Sequence, residues 1–157
     1  MSATRVTWQF NAPRDRVYAA LVTAGDVAQW KFPSGMTCDI HEFDSREGGR
    51  VRISLTYDAT DREGKTRGRT DTYIGRFVTL VPNEILVEVD EFETTDPALS
   101  GEMTTTIRLT DADDGGTELF AVHDGLPPGV SEADNEIGWR EALSRLAQLV
   151  EPSASDE

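Results

Sequence analysis

The stretch NEIGWREALSRLAQLVE, Asn135 to Glu151, decides how this chain folds. At 100° per residue its Trp139, Leu143, Leu146 and Val150 fall on one stripe, flanked by Ala142, Ala147 and Leu149. Glu141, Ser144, Arg145 and Gln148 take the other side, and Glu136–Arg140 and Glu141–Arg145 are favourably ordered i,i+4 pairs. Ser131 followed by Asp134 offers a capping-box-like start, and Pro152 ends the run. Such a helix is roughly 25 Å long, about the span of a strand of seven or eight residues. It can lie along a sheet and bury its stripe there.

The residues before it supply that sheet. Arg5–Phe10 alternates, with Val6, Trp8 and Phe10 on one face. Asn11-Ala12-Pro13 reads as a helix start, and Val17, Ala20 and Leu21 give that helix its apolar side. A second short helix starts near Asp26, carries Val27 and Trp30, and stops before Pro33.

From there the period is two. Strands are expected over Thr37–Asp44, Arg50–Asp58, Thr70–Leu80, Ile85–Thr94, Glu102–Leu109 and Thr117–Asp124, with turns at Ser45–Gly49, Asp61–Lys65, Val81–Glu84 and Asp111–Gly116. Short connections between successive strands imply an antiparallel meander. The expected fold is therefore α+β: a curved seven-stranded antiparallel sheet wrapped around a long C-terminal helix, with two short helices after the first strand. One domain over residues 1–151, with 152–157 as a flexible tail, suits a chain of 157 residues.

Composition narrows the function. A net charge of −14 argues against a phosphate-backbone partner and against an anionic membrane surface. No apolar run reaches the roughly 20 residues of a membrane span, so the expected location is the cytoplasm. The lone Cys38 rules out an internal disulfide framework. Lysines are scarce, Lys31 and Lys65 alone among 15 basic residues.

Those elements, in that order, resemble a known family. Ala12-Pro13 with Val17-Tyr18-Ala19-Ala20-Leu21, then Trp30, the segment GMTCDIHEFD from Gly35 to Asp44 and the turn REGGR from Arg46 to Arg50 carry the resemblance. Gly125-Leu126-Pro127 and Gly138-Trp139 followed by spaced leucines complete it. Together they resemble the SRPBCC, or START-like helix-grip, superfamily and, within it, the activator of heat-shock protein 90 ATPase homologue family. The resemblance implies a cavity between the long helix and the sheet. Members of the wider superfamily bind lipids, hormones and polyketide-like molecules, and some catalyse reactions on them. The eukaryotic co-chaperone activator carries a further N-terminal domain for which this chain is too short, so direct chaperone activation is the lesser expectation.

The residues themselves exclude several chemistries. Cys38 and His41 are three apart, which within a strand sends them to opposite faces, so no metal site is expected. The run Asp111–Gly116 lacks the spacing of a calcium loop. No G-x-S-x-G, G-x-G-x-x-G or Walker pattern is present, and no cofactor is expected.

What remains is a polar set within an apolar face. If Val51, Ile53, Leu55 and Tyr57 point inward, Tyr57 offers its hydroxyl to one end of the cavity. If Ile85, Val87 and Val89 point inward, Glu91 follows them. Asp71, Tyr73 and Phe77 share a face, as do Leu119, Ala121 and His123, although Phe120 and Val122 make the other face of that last strand apolar too and leave its orientation open. Trp30, Tyr57, Tyr73, Phe77, Met103 and Trp139 are the expected apolar contacts of a hydrophobic or amphipathic small molecule, with Glu91 and His123 orienting it. The alternatives are a cyclase, dehydratase or hydrolase using Glu91, His123, Tyr57 and Tyr73 as acid–base groups, or a chaperone-associated or other protein-interaction module. The chain is expected to be a monomer or a homodimer.

Overall fold

The computed structural model describes residues 3–58 and 70–152. The turn expected over Asp61–Lys65 and residues 153–157 of the expected tail lie outside them. The elements run β1 (Ala3–Phe10), α1 (Arg14–Val22), α2 (Ala24–Trp30), β2 (Met36–Phe43), β3 (Arg50–Tyr57), β4 (Thr70–Val81), β5 (Ile85–Phe92), β6 (Met103–Asp111), β7 (Thr117–Asp124) and α3 (Glu132–Val150). The strands form one antiparallel sheet in the order β1-β7-β6-β5-β4-β3-β2. The sheet curls around α3, the helix-grip arrangement expected from sequence.

Local chemistry explains where each element stops. Ser131 caps α3, its hydroxyl accepting from the Asp134 amide at 3.2 Å. Asn83 holds φ 65° between β4 and β5, in the left-handed region that Asn tolerates best after Gly. Irregularities at Ile40/Glu42 in β2 and Phe77/Thr79 in β4 add the local bend that curls a sheet.

The core is continuous. Phe10, Val17, Ala20, Leu21, Val27, Ile53, Ile107, Leu119, Leu143 and Leu146 are all buried within it. The α3 stripe of Trp139, Leu143, Leu146 and Val150 is buried as its periodicity predicts. The α3 backbone comes closest to β1, α2 and α1 rather than to the centre of the sheet. That offset leaves room between the helix and strands β3–β6.

One strand faces the other way from the sequence expectation. In β5 the buried residues are Leu86, Glu88 and Asp90, while Ile85, Val87 and Val89 face outward with partial exposure. Three β-branched or aliphatic residues in alternation outscore Leu-Glu-Asp-Phe on hydrophobicity alone. Register with β4, which sets Phe77 opposite Glu88 and Gly75 opposite Asp90, overrides that preference.

Candidate functional site

Cross-strand register assembles the floor of the site. Glu88 on β5, Thr105 on β6 and His123 on β7 form one row of directly paired residues. Asp90 and Met103 form the next row, and Tyr73 and Phe92 another. Residues paired this way hold their Cβ atoms about 5 Å apart, so each row brings side chains from separate strands together.

Above this floor lies a cavity of about 580 Å³. Its apolar wall includes Trp30, Met36, Leu55, Tyr57, Tyr73, Phe92, Met103 and Trp139. Its polar lining includes Lys31, Asp71, Asp90, Thr105, His123 and Asn135. Exposed Ser34, Ser131, Asp134 and Ile137 reach it from the rim, Ile137 being 57% exposed. One side of the mouth is strapped to α3. Arg145 donates to the Phe32 carbonyl at 2.8 Å and to Ser34 Oγ at 3.0 Å, with its guanidinium 4.6 Å over the Phe32 ring. The Ser34 amide donates to Glu141 Oε1 at 3.1 Å.

Three ionisable groups meet at the back of this cavity. Lys31 donates to both oxygens of Glu88, at 3.3 and 3.5 Å, and Glu88 is only 1% exposed. Burial favours the neutral form of each, but their mutual attraction outweighs it: the ammonium is held above its ordinary pKa and the carboxylate below. Asp90, two residues along the same face, is hydrogen-bonded to Glu88. Burial, then the Glu88 charge, pushes the Asp90 carboxyl well above the usual range, so it holds its proton more tightly than Glu88 does. Asp90 Oδ1 is buried without a hydrogen-bond partner. Gly75 makes this packing possible, because a Cβ there would overlap Asp90 Oδ1 and the Val89 carbonyl.

On the opposite side, Nδ1 of His123 lies 3.1 Å from both Trp139 Nε1 and Asn135 Nδ2. An indole nitrogen only donates, so Nδ1 accepts and the proton of the neutral ring sits on Nε2. Burial, then the nearby Lys31 charge, lowers the His123 pKa to about 4. Burial also raises the Tyr73 hydroxyl well above its usual value, with Glu88 and Asp90 adding to the effect. The site thus sets the Lys31–Glu88 ion pair beside Asp90, Tyr73 and His123, groups whose charged forms burial disfavours.

The structure brings together Trp30, Tyr57, Tyr73, Met103, His123 and Trp139 from the sequence-expected set. It does not bring Phe77 or Glu91. Phe77 is 1% exposed and packs edge-on against Phe43 at 5.4 Å, inside the closed core under the sheet's end. Glu91 alternates to the convex face with Arg50, Arg52 and Ile74, because β5 presents its even-numbered residues inward. Lys31, Glu88 and Asp90 were not expected there. Their signal was two carboxylates two residues apart in a strand, together with one of only two lysines in the chain.

Other chemistry has little support. The Cys38 thiol is pushed up to about 11, by burial first, which makes it a poor nucleophile. Among the described residues no group of three or more His, Cys, Asp or Glu side chains could hold a metal ion. Among the described residues no helix is long and apolar enough to cross a membrane.

Known proteins match this arrangement closely. The family model described as activator of Hsp90 ATPase homolog 1-like protein matches residues 11–151. A Chromobacterium violaceum protein of known crystal structure is 32% identical, with a TM-score of 0.86 over 96% of this chain and 98% of that one. An AHSA1 protein from Silicibacter pomeroyi shares the fold at 16% identity, with a TM-score of 0.76 over 94% of this chain and 96% of that one. No curated protein matches the chain.

Proposed function

The chain belongs to the activator of Hsp90 ATPase homolog 1-like family, and from that premise we propose that it binds a hydrophobic or amphipathic small molecule between α3 and the sheet. The observation that carries this reading is the cavity of about 580 Å³ with an aromatic and aliphatic wall and a few convergent polar groups. Ligand sites commonly occupy about 300–1,000 Å³ and have that composition. Trp30, Tyr57, Tyr73, Met103 and Trp139 supply apolar contact, and His123 presents hydrogen-bonding capacity beside them.

Native mass spectrometry and thermal shift with lipid-like and aromatic polyketide-like compounds test it. Stoichiometric adducts that raise the melting temperature are the expected result. Ala142→Phe, which puts a ring into the cavity wall, should abolish the adduct while the protein remains folded. Adducts unaffected by Ala142→Phe would place the ligand elsewhere and defeat the reading.

A second reading, general acid–base catalysis on a bound substrate, is favoured by two carboxyls side by side with pKa values pushed apart, Asp90 raised and Glu88 lowered, and by His123, whose pKa is lowered to about 4. Turnover of a bound compound, lost in His123→Gln without loss of binding, would select it over binding alone. A protein partner is the reading that the family's name suggests. Its mark would be a stoichiometric complex that Ala142→Phe leaves intact.

A further inference from the structure

We propose that His123 selects the ligand: its Nε2–H is a fixed hydrogen-bond donor that seats a carbonyl oxygen at the polar end of an otherwise apolar molecule. This rests on the reading that the cavity is a binding site and names the chemistry of its ligand.

The donor is fixed from behind. Nδ1 of His123 accepts the Trp139 indole N–H at 3.1 Å and lies 3.1 Å from Asn135 Nδ2. The Asn135 amide is itself oriented, because Nδ2 also donates to Thr4 Oγ1 at 2.9 Å, and Thr4 is buried. With its lone pair engaged in this way, the ring cannot move its proton to Nδ1 without breaking the Trp139 contact. The edge-to-face packing of the two rings restrains the imidazole plane as well.

The other ring nitrogen is open. Nε2 has no hydrogen-bond partner among the described residues. Among those residues, Asp90 Oδ1 is the one side-chain nitrogen or oxygen that is both fully buried and unpaired. Nε2 therefore borders open space, and the space that His123 lines is the cavity.

Neighbouring donors are already spent. Trp30 gives its indole N–H to the Ala20 carbonyl at 2.9 Å, Trp139 gives its own to His123, and Lys31 is shared with Glu88. The Tyr73 hydroxyl can donate or accept and so does not discriminate. A carbonyl oxygen taken into the apolar wall loses water and needs a replacement donor, which Nε2–H supplies. A group that can only donate finds no lone pair there.

The test compares 2-acetylnaphthalene with 2-ethylnaphthalene, which match in shape and differ at the carbonyl, by calorimetric titration of the unmodified protein and of His123→Phe. Repacking around the phenylalanine acts on both compounds alike, so the ratio of their affinities isolates the hydrogen bond. His123→Phe should weaken the ketone at least about fivefold more than the hydrocarbon. Equal weakening of both, or binding of the hydrocarbon alone, would overturn the role of His123 and leave the binding reading standing. Saturation of the unmodified protein by neither compound would overturn both. If His123→Phe does not fold, nitrogen-15 NMR of the His123 ring in the unmodified protein decides. The ketone should then shift the Nε2–H proton downfield and the hydrocarbon should not, and the same response to both would contradict the proposal.

Discussion

Trp139 on α3 donates its indole N–H to His123 Nδ1 on β7 across 3.1 Å, tying the gripping helix to the sheet at the wall of the cavity. The two rings also meet edge to face, with centroids 5.9 Å apart. A contact that uses the imidazole lone pair is lost when the ring takes a second proton. His123 should therefore stay neutral down to a pH of about 4, as a proton NMR titration of its ring can show. Its folded pKa lies below the unfolded value, so its stabilising contribution is full above about pH 6.5. That contribution declines as the pH falls towards 4, by about 3 kcal/mol at most. Trp139→Phe removes the donor but keeps the ring, at an expected cost of about 1–2 kcal/mol in urea unfolding.

Asp90 should give the opposite pH dependence. Its folded pKa is raised, so its contribution is full below the ordinary carboxyl pKa and is lost as the pH rises through the elevated folded value. Asp90→Asn cannot ionise. The stability of that variant relative to the unmodified protein should therefore increase from about pH 4 upward. A flat difference across the range would mean that Asp90 carries an ordinary ionised carboxylate.

Removing Lys31 strands a buried charge. Lys31→Met leaves Glu88 ionised at 1% exposure without its partner, at an expected cost of about 3–5 kcal/mol. Adding Glu88→Gln should recover most of that loss, because the remaining group is neutral. Urea midpoints of the single and double variants give the comparison. A double variant no more stable than Lys31→Met alone would mean that the lysine acts through its aliphatic stem.

Two glycines should respond in opposite directions. Gly75→Ala drives a methyl into Asp90 Oδ1 and the Val89 carbonyl, so a loss of about 2–4 kcal/mol is expected. Gly138→Ala on α3 meets only the Pro33 Cβ at 3.5 Å, an ordinary contact. Helix propensity then favours the alanine by up to about 1 kcal/mol. Thermal melts of the two variants check both signs.

The strap at the mouth uses two α3 side chains, Arg145 and Glu141. Arg145→Lys keeps the charge but loses the planar fork that reaches Phe32 and Ser34 while stacking on the Phe32 ring. The expected loss is about 1–2 kcal/mol. Faster amide exchange confined to residues 31–35 should accompany it, and faster exchange spread over the sheet would contradict that role.

Much of this was legible in the residues. The α3 stripe and the alternation of β1 and β6 follow from periodicity, because one face of each is apolar and the other is not, whereas β7 carries Leu119 and Ala121 on one face and Phe120 and Val122 on the other, so its pattern left the orientation open. The same rule put β5 the wrong way round. Its outward face, Ile85, Val87 and Val89, is the more hydrophobic one, and its inward carboxyls become tolerable only through Lys31 and the raised pKa of Asp90. Neither compensation is local in sequence: Lys31 lies 57 residues from Glu88. Phe77 was read as cavity wall because it shares a face with Tyr73, but which part of a face is open depends on where α3 crosses. Tyr57, Tyr73, Met103 and Trp139 were legible as cavity-lining residues because each continues an apolar alternation or stripe.

The most direct measurement is a nitrogen-15 chemical-shift titration of the protein with 1-decanol. Binding under the helix predicts saturable shifts concentrated at Tyr73, Met103, His123, Trp139 and the indole N–H of Trp139. Shifts confined to the convex face around exposed Val78 and Phe120, or none at saturation, would contradict it.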